Sequence, residues 1–279
     1  MFLQRVGSNT FTFTGMKKIA VCLSGQIRHW EETYPIFEHW NNLFDDVEFT
    51  FFVSTWDSES WVDPKFENYI KFEDIDFTKH DFIKAHSKHD VSKVQVRSKV
   101  KRPNSPYLSF LLNKVQTLRK NYEIENNFEF DGVIQTRNDI FVSIQQLNNI
   151  RKETITKNDI FKDKVIFTTT SLADSDDKLI LPNDNFYYGT SKVMDVFAGM
   201  YDYLLNDAFS LHTHYLQAEF FVQKGIGCYK MRGGVFLVRG GVLTKRHRPS
   251  PEKLRKLLEE KGVKYLVETK WEELQREFE

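Results

Sequence analysis

The sequence predicts an α/β fold in which helices flank a mainly parallel sheet. Two continuous apolar runs, "IAVCLSG" at 19–25 and "VEFTFFV" at 47–53, are typical of strands buried on both faces. A third apolar segment, "DGVIQTRNDIF" at 131–141, follows a long amphipathic helix. Strands that alternate with helices indicate parallel pairing, because parallel strands need a crossover connection.

The first quarter of the chain is predicted to contain two strands and a helix. Residues 1–16 look like a loosely attached lead-in, because the packed pattern begins only with the first strand. Thr33 and Pro35 are predicted to open the helix, since apolar residues recur after them at three-to-four spacing. The second strand ends in "STWD" at 54–57.

A polar stretch then separates these strands from the clearest helix. Residues 58–104 are poorly periodic, so we expect a surface excursion with short elements, and His80, His86 and His89 at the surface or in loops. Ser105-Pro106 opens the helix. Its predicted buried face carries Leu108, Leu111, Leu112, Val115, Leu118 and Tyr122, whereas Lys114, Thr117, Arg119 and Lys120 are expected mostly elsewhere.

The second half of the chain is predicted to complete one domain and add an appendage. Strands are expected at 164–169 and 185–188 and in "GGVFLVRGG", with helices at about 191–205 and 209–224. Residues 17–249 form the predicted domain, and residues 250–279 form a predicted C-terminal helical appendage. Pro249 and Pro251 break the chain at the boundary between them. Its apolar faces must pack either on the sheet domain or on a second copy of the chain, which would make a homodimer.

Composition narrows the function classes. The 279 residues carry 39 basic and 39 acidic side chains, so net charge gives no support to a general polyanion-binding role. Two cysteines make neither a disulfide framework nor a zinc site. No apolar run approaches the roughly 20 residues that span a bilayer, and the N-terminus lacks the apolar core of a signal peptide. We therefore predict a cytoplasmic protein without a membrane span.

Polar residues follow the ends of three predicted strands. The clusters are Ser24-Gly25-Gln26-Ile27-Arg28, Ser54-Thr55-Trp56-Asp57 and Arg137-Asn138-Asp139. If the strands are parallel, all three converge on one rim, where α/β sheets bind ligands. Two arginines suit a diphosphate, Trp56 can stack on a base or sugar, and the carboxylates can hold ribose hydroxyls or a divalent cation. Together these residue types predict a pocket for a nucleotide diphosphate.

Asp139 is expected at the solvent edge of this pocket. On that expectation Asp139→Asn abolishes activity but changes stability by less than about 1 kcal/mol, as surface substitutions usually do. The sequence has neither Gly-x-Gly-x-x-Gly nor Gly-x4-Gly-Lys-Ser/Thr, so neither a Rossmann dehydrogenase nor a P-loop enzyme is favoured.

Three stretches together resemble a known family. "KKIAVCLSGQIRHW", "FFVSTWD" and "YEIENNFEFDGVIQTRNDIFV" resemble the GT-A-like glycosyltransferases of bacterial and phage surface-polysaccharide genes, over roughly residues 17–248. The resemblance implies a GT-A fold with a Rossmann-like nucleotide-binding core and a nucleotide-diphosphate sugar as donor. It assigns Leu23, Ser24, Gly25 and Arg28 to the first donor loop and places Asp57 at the second. Arg137-Asn138-Asp139 falls where the family carries its Asp-x-Asp metal motif.

The metal and catalytic assignments stay open at this point. Arg137 replaces the first aspartate, so it is expected to neutralise the leaving diphosphate, while Asp139 binds Mg²⁺ or Mn²⁺ or positions the sugar. His247 is a second candidate for the metal or the diphosphate. A literal Asp-x-Asp at residues 174–176 lies in a hydrophilic loop. Glu219, within an aromatic helix, and Asp184 are the candidate catalytic bases.

The predicted function is transfer of a sugar from a nucleotide-diphosphate donor to a hydroxyl acceptor. The acceptor is expected to be carbohydrate, and a glycan, a lipid-linked sugar and modified phage DNA all stay open. The alternative is a non-catalytic nucleotide-sugar or glycan-binding module with a degenerate metal motif.

Overall fold

The structure is a computed structural model that describes most of the chain between residues 15 and 244. The described residues are 15–27, 30–57, 75–95, 104–156, 163–168, 171–173, 180–182, 185–208, 213–230, 235–239 and 242–244. The predicted lead-in, apart from its last two residues, and the predicted appendage lie outside them, so those two boundaries remain predictions.

The described residues form strands and helices in alternation along the chain. The strands are β1 (Lys17–Ser24), β2 (Val47–Trp56), β3 (Ile83–His89), β4 (Gly132–Arg137), β5 (Ile140–Val142), β6 (Val165–Thr168), β7 (Ser171–Ala173), β8 (Ile180–Pro182), β9 (Phe186–Gly189), β10 (Gly227–Lys230), β11 (Val235–Arg239) and β12 (Val242–Thr244). The helices are α1 (Trp30–His39), α2 (Asn104–Asn126), α3 (Ile144–Thr156), α4 (Ser191–Ala198), α5 (Met200–Asn206) and α6 (Thr213–Lys224).

Seven strands make the main sheet, in the order β10-β6-β9-β4-β1-β2-β3. β1 is parallel to β2 and β4, β2 is parallel to β3, and β6 is parallel to β10. β9 runs antiparallel to both of its neighbours. The predicted α/β fold with a mainly parallel sheet flanked by helices is therefore confirmed. Two small antiparallel sheets, β12-β11-β5 and β7-β8, accompany the main one.

The core lies on both faces of β1, as its continuous apolar sequence requires. On one face Val21 and Leu23 belong to a buried cluster that includes Phe37 of α1 and Leu147 of α3. On the other face Cys22 joins a second cluster, which contains Val115 of α2 and Met194 of α4. Each fully buried side chain of this size contributes about 1.5–3 kcal/mol, so the two layers hold the sheet in place.

Helix α2 differs from the prediction in its polar residues. Leu111, Leu112 and Val115 are buried as expected. Arg119, expected mostly away from the apolar face, is fully buried, and Glu123 is also buried. The spacing rule places a residue on a face, but it does not say whether that face meets an apolar neighbour or a polar partner. Here the hydrogen-bond partners of Arg119 are on α2 itself and on α4, and they are described below.

Three further elements depart from the sequence prediction. β3 lies within the stretch expected to be a surface excursion, so His86 and His89 lie in a strand of the main sheet. This strand is at the sheet edge and has alternating exposure, which explains its weak apolar signal. α1 begins at Trp30, earlier than the predicted start. The helix predicted at 191–205 is two helices, which meet at Gly199.

Candidate functional site

The carboxyl ends of β1, β2 and β4 meet at one edge of the main sheet. Ser24 at the end of β1 is the register partner of Ser54 in β2 and of Arg137 in β4. The predicted convergence of the three strand ends on one edge is therefore confirmed, whereas Arg28 lies outside the described residues. The strand order also changes direction here, because β2 lies on one side of β1 and β4 lies on the other. Such a switch point leaves a crevice in which open α/β sheets bind ligands.

Hydrogen bonds join the three strand ends around Gly25. The Gly25 N–H donates to the Ser54 carbonyl at 3.2 Å, and Asn138 Nδ2 donates to the Gly25 carbonyl at 3.1 Å. Gly25 has a φ of +128°, which strongly favours glycine. Among the described residues, apart from Gly25 and its two chain neighbours, no heavy atom lies within 4 Å of the position that a Cβ would take. The open space beside the Gly25 Cα lets a ligand approach the backbone closely.

Arg137 and Asp139 form a bidentate ion pair. Arg137 Nε donates to Asp139 Oδ1 at 2.9 Å, and Nη2 donates to Oδ2 at 2.8 Å. Asp139 is only 1% exposed, so the expectation of a solvent-edge carboxylate is wrong. The Arg137 side chain remains 20% exposed and carries the solvent-facing part of the pair. A buried carboxylate is retained because the guanidinium offsets its desolvation.

The β2 end contributes a packed Trp56 and an exposed Asp57. Trp56 is 8% exposed, and its ring stacks on Phe110 of α2 with centroids 5.9 Å apart and planes 11° apart. Its packing is thus with the protein, and a stacking role toward a ligand stays a prediction. Asp57 is exposed, and its N–H donates to the His89 carbonyl at 2.9 Å.

His89 adds a fourth strand end to the rim, which the sequence analysis did not include. A ring nitrogen of His89 lies 2.8 Å from Ser87 Oγ, whose hydroxyl in turn donates to Ser54 Oγ at 3.2 Å. Burial lowers the pKa of His89, the charge of Lys114 lowers it further, and Asp57 opposes the change. The neutral imidazole is therefore favoured at neutral pH, which suits hydrogen bonding better than charge pairing.

The remaining predicted donor residues divide between the core and the undescribed part of the chain. Leu23 is fully buried in the α1-side core, so only its backbone lies at the rim. Arg28, Asp184 and His247 lie outside the described residues, as does the Asp-x-Asp at 174–176. Asn185, the residue after Asp184, accepts a hydrogen bond through its carbonyl from Thr136 Oγ1 at 2.9 Å. The chain thus enters β9 beside the end of β4.

Glu219 lies at the contact between α5 and α6. The Tyr203 hydroxyl donates to Glu219 Oε1 at 2.5 Å. Burial, and then the hydrogen bond to this carboxylate, raise the pKa of Tyr203 to about 12, so the tyrosine stays a donor over the whole working pH range. Glu219 itself is partly exposed. Its role as catalytic base stays a prediction.

Asp139 is the predicted metal ligand that lies within the described residues. Within the described residues, no group of three or more His, Cys, Asp or Glu side chains is arranged to hold an ion. Both Asp139 oxygens accept hydrogen bonds from Arg137, so a cation at Asp139 would share the carboxylate with the guanidinium and be repelled by its positive charge. The ion pair therefore disfavours a divalent ion at this carboxylate. No observation tests metal binding by Asp139 directly, and it stays a prediction. Within the same residues, no helix combines the length and apolar character needed to cross a bilayer.

Comparisons with known proteins give distant structural likenesses. No protein-family model and no curated protein matches the sequence. One similar solved structure is a glycosyltransferase involved in the glycosylation of the major capsid of PBCV-1, with 9% identity and a TM-score of 0.40 over 92% of this chain and 98% of that one. Another is a putative glucose-1-phosphate thymidylyltransferase from Bacillus anthracis, with 10% identity and a TM-score of 0.34 over 80% and 89%. We infer no residue roles from these likenesses.

Proposed function

We propose that the chain is a glycosyltransferase that moves a sugar from a nucleotide-diphosphate donor to a hydroxyl acceptor. The observation that carries the proposal is the rim at the switch point, where Ser24 and Arg137 end adjacent parallel strands and Gly25 follows Ser24. An open backbone turn beside a partly exposed guanidinium suits a diphosphate. The resemblance of the three sequence stretches to GT-A-like glycosyltransferases extends this binding role to sugar transfer.

Arg137 supplies the positive charge in this proposal. Negative charge develops on the diphosphate as the glycosidic bond to it breaks, and a fixed guanidinium stabilises that charge. Because Arg137 is partly exposed while Asp139 is buried, the exposed side of the guanidinium is placed to donate to a phosphate oxygen, while Asp139 accepts from Nε and Nη2. Asp139 would then be a positioning residue for Arg137, and Arg28 a second cation for the diphosphate.

Two carboxylates are proposed for activating the acceptor hydroxyl. Asp184 is supported by its sequence neighbour, since Asn185 lies beside the end of β4. Glu219 is supported by its carboxylate, which the Tyr203 hydroxyl holds in one orientation. Either would take the proton of the attacking hydroxyl as the bond to the sugar carbon forms.

A second function is favoured by the ion pair itself. In a non-catalytic nucleotide-sugar or glycan-binding module, the Arg137–Asp139 pair would replace a metal site and leave only a binding surface. Such a protein would bind a nucleotide sugar without turning it over. Glycan, lipid-linked sugar and phage DNA remain acceptor classes for the catalytic proposal.

The experiment is a thermal-shift screen followed by a turnover assay. UDP-, GDP-, CMP- and dTDP-sugars are tested with and without Mn²⁺, and mass spectrometry then follows release of the nucleotide with water and hydroxyl acceptors. We expect stabilisation by one nucleotide class and release of its nucleotide. Stabilisation without turnover favours the binding module, and no stabilisation by any donor contradicts both functions.

Arg137→Met is the matched variant for the screen. It removes the guanidinium but retains a side chain of similar length, so the loss of nucleotide stabilisation measures the charge. Arg151→Met is the control. Arg151, on α3, forms a similar bidentate pair with Asp46, which lies just before β2 and thus at the end of that strand opposite the rim. Equal loss of binding in both variants would mean that Arg137 does not contact the donor.

A further inference from the structure

A chain of buried polar side chains leads from the middle of α2 to Ser24 at the rim. Arg119 Nε donates to Gln116 Oε1 at 2.9 Å, and Gln116 Nε2 donates to Gln135 Oε1 at 2.9 Å. Gln135 Nε2 donates to Ser24 Oγ at 2.8 Å. All four side chains are at most 3% exposed. Burying so many polar groups is costly unless each is satisfied, so the chain is a defined feature of the fold.

The direction of every hydrogen bond in this chain is determined by its two ends. A guanidinium can only donate, so Gln116 must present its oxygen to Arg119 and its amide nitrogen to Gln135. Gln135 must then present its oxygen to Gln116 and its nitrogen onward. At the far end Gln135 Nε2 also donates to the Thr136 carbonyl at 3.3 Å, and a carbonyl can only accept. Both ends therefore require the same orientation of both amides.

Arg119 is anchored from two elements, which makes it a fixed starting point. Its Nη1 donates to Glu123 Oε2 at 2.8 Å and also to Ser191 Oγ, and its Nη2 donates to Asp195. Glu123 Oε1 in turn accepts from Ser191 Oγ at 2.7 Å. Because α2 and α4 both hold the guanidinium, Arg119 keeps its Nε directed at the Gln116 side-chain oxygen.

The hydrogen bond from Gln135 determines the role of the Ser24 hydroxyl. Its oxygen accepts from Gln135, so its own proton is available to donate. No hydrogen bond donated by this hydroxyl is found among the described residues. A hydroxyl committed to donating favours an acceptor such as an anionic phosphate oxygen over a donor group.

We propose that Gln135, oriented through Gln116 by Arg119, is a positioning residue that makes Ser24 a hydrogen-bond donor to the diphosphate of the nucleotide donor. This inference rests on the proposed function and names how its binding site selects an anion. In this proposal the Ser24 hydroxyl, which is 1% exposed without a ligand, contacts the diphosphate once the donor is bound, whereas Gln135 acts only through Ser24. A substitution at Gln135 therefore changes diphosphate affinity only while the Ser24 hydroxyl is present.

The test is a double-mutant cycle on nucleotide affinity with Ser24→Ala and Gln135→Met. Calorimetry measures binding of UDP, GDP, CDP and dTDP, and of the nucleoside that corresponds to the one bound most tightly. We expect each single substitution to weaken the diphosphate about tenfold, the usual range for a hydrogen bond to a charged group, and to leave the nucleoside within about twofold. In the Ser24→Ala background, Gln135→Met should have no further effect.

Controls separate positioning from general disturbance of the core. Gln217→Met removes a fully buried amide of α6 that is not part of the hydrogen-bonded series from Arg119 to Ser24. This variant should leave diphosphate affinity within about twofold. If Gln135→Met does not fold, Gln116→Met replaces it in the double-mutant cycle with Ser24→Ala. This substitution interrupts the hydrogen-bonded series one residue farther from Ser24. Additive effects of the two substitutions, or no effect at Gln135, would overturn the inference alone. Absence of binding of any of the four nucleotides to the wild type would overturn it together with the proposed function.

Discussion

Removing Arg137 should destabilise the protein far more than removing an arginine from a comparable pair at the surface. Both oxygens of Asp139 accept hydrogen bonds from Arg137, and Asp139 is 1% exposed. Arg137→Met therefore leaves a buried carboxylate without its guanidinium. Breaking one side of a buried pair costs about 3–5 kcal/mol, and the partial exposure of Arg137 places the expected cost near 3 kcal/mol.

The matched control is the pair between Arg151 and Asp46. It has the same bidentate geometry, with Arg151 Nε and Nη2 each 2.7 Å from an Asp46 oxygen, but both side chains are 39% exposed. Exposed pairs contribute about 0–1 kcal/mol because water and salt screen them. Arg151→Met should therefore cost less than about 1 kcal/mol.

Urea unfolding followed by tryptophan fluorescence measures both variants and Asp139→Asn. Asp139→Asn leaves Arg137 charged, but this side chain reaches solvent, so its cost should lie between the other two, at about 2 kcal/mol. That value replaces the sequence-based expectation of less than about 1 kcal/mol. Equal costs for Arg137→Met and Arg151→Met would refute the reasoning, since they would mean that Asp139 is hydrated in the folded protein.

Three other predictions follow from single residues. Gly25→Ala should cost about 1–2 kcal/mol and weaken nucleotide binding, because φ is +128° there, whereas Gly225→Ala should affect stability alone. Glu219→Gln keeps an oxygen for the Tyr203 hydroxyl, so melting temperature should change little while transfer is lost in an acceptor assay; full transfer would exclude Glu219 as the base. Burial lowers the pKa of His80 from 6.5, and its Nε2 accepts from Trp30 at 3.0 Å, so the unfolded state takes up the proton first. Stability should therefore fall as pH drops below about 6.5, and less steeply in His80→Gln when both are unfolded by urea at several pH values.

The sequence was most informative where burial is uniform. β1 and β2 are buried on both faces, and their apolar runs predicted both strands and their parallel pairing. β3 was not predicted as a strand, because an edge strand with alternating polar residues resembles a surface loop. The turn Arg137-Asn138-Asp139 was found because a polar triplet between apolar residues is unusual in a sheet.

The exposure of site residues could not be predicted from the sequence. Nothing in the local pattern shows that Arg137 folds back on Asp139 two positions later, so the carboxylate was expected in solvent. Arg119 presents the same problem at longer range, since its partners Glu123, Ser191 and Asp195 include two residues on a distant helix. Buried charges are recognisable only when the tertiary structure brings their partners together.

Hydrogen exchange measured with and without a bound nucleotide tests the central claim most directly. If the diphosphate lies at the ends of β1 and β4, the nucleotide that stabilises the protein should slow exchange in peptides covering residues 23–27 and 135–140. Peptides covering β10, at the far side of the main sheet, should be unchanged. Protection confined to β10 or to other distant strands, with residues 23–27 and 135–140 unaffected, would contradict the account.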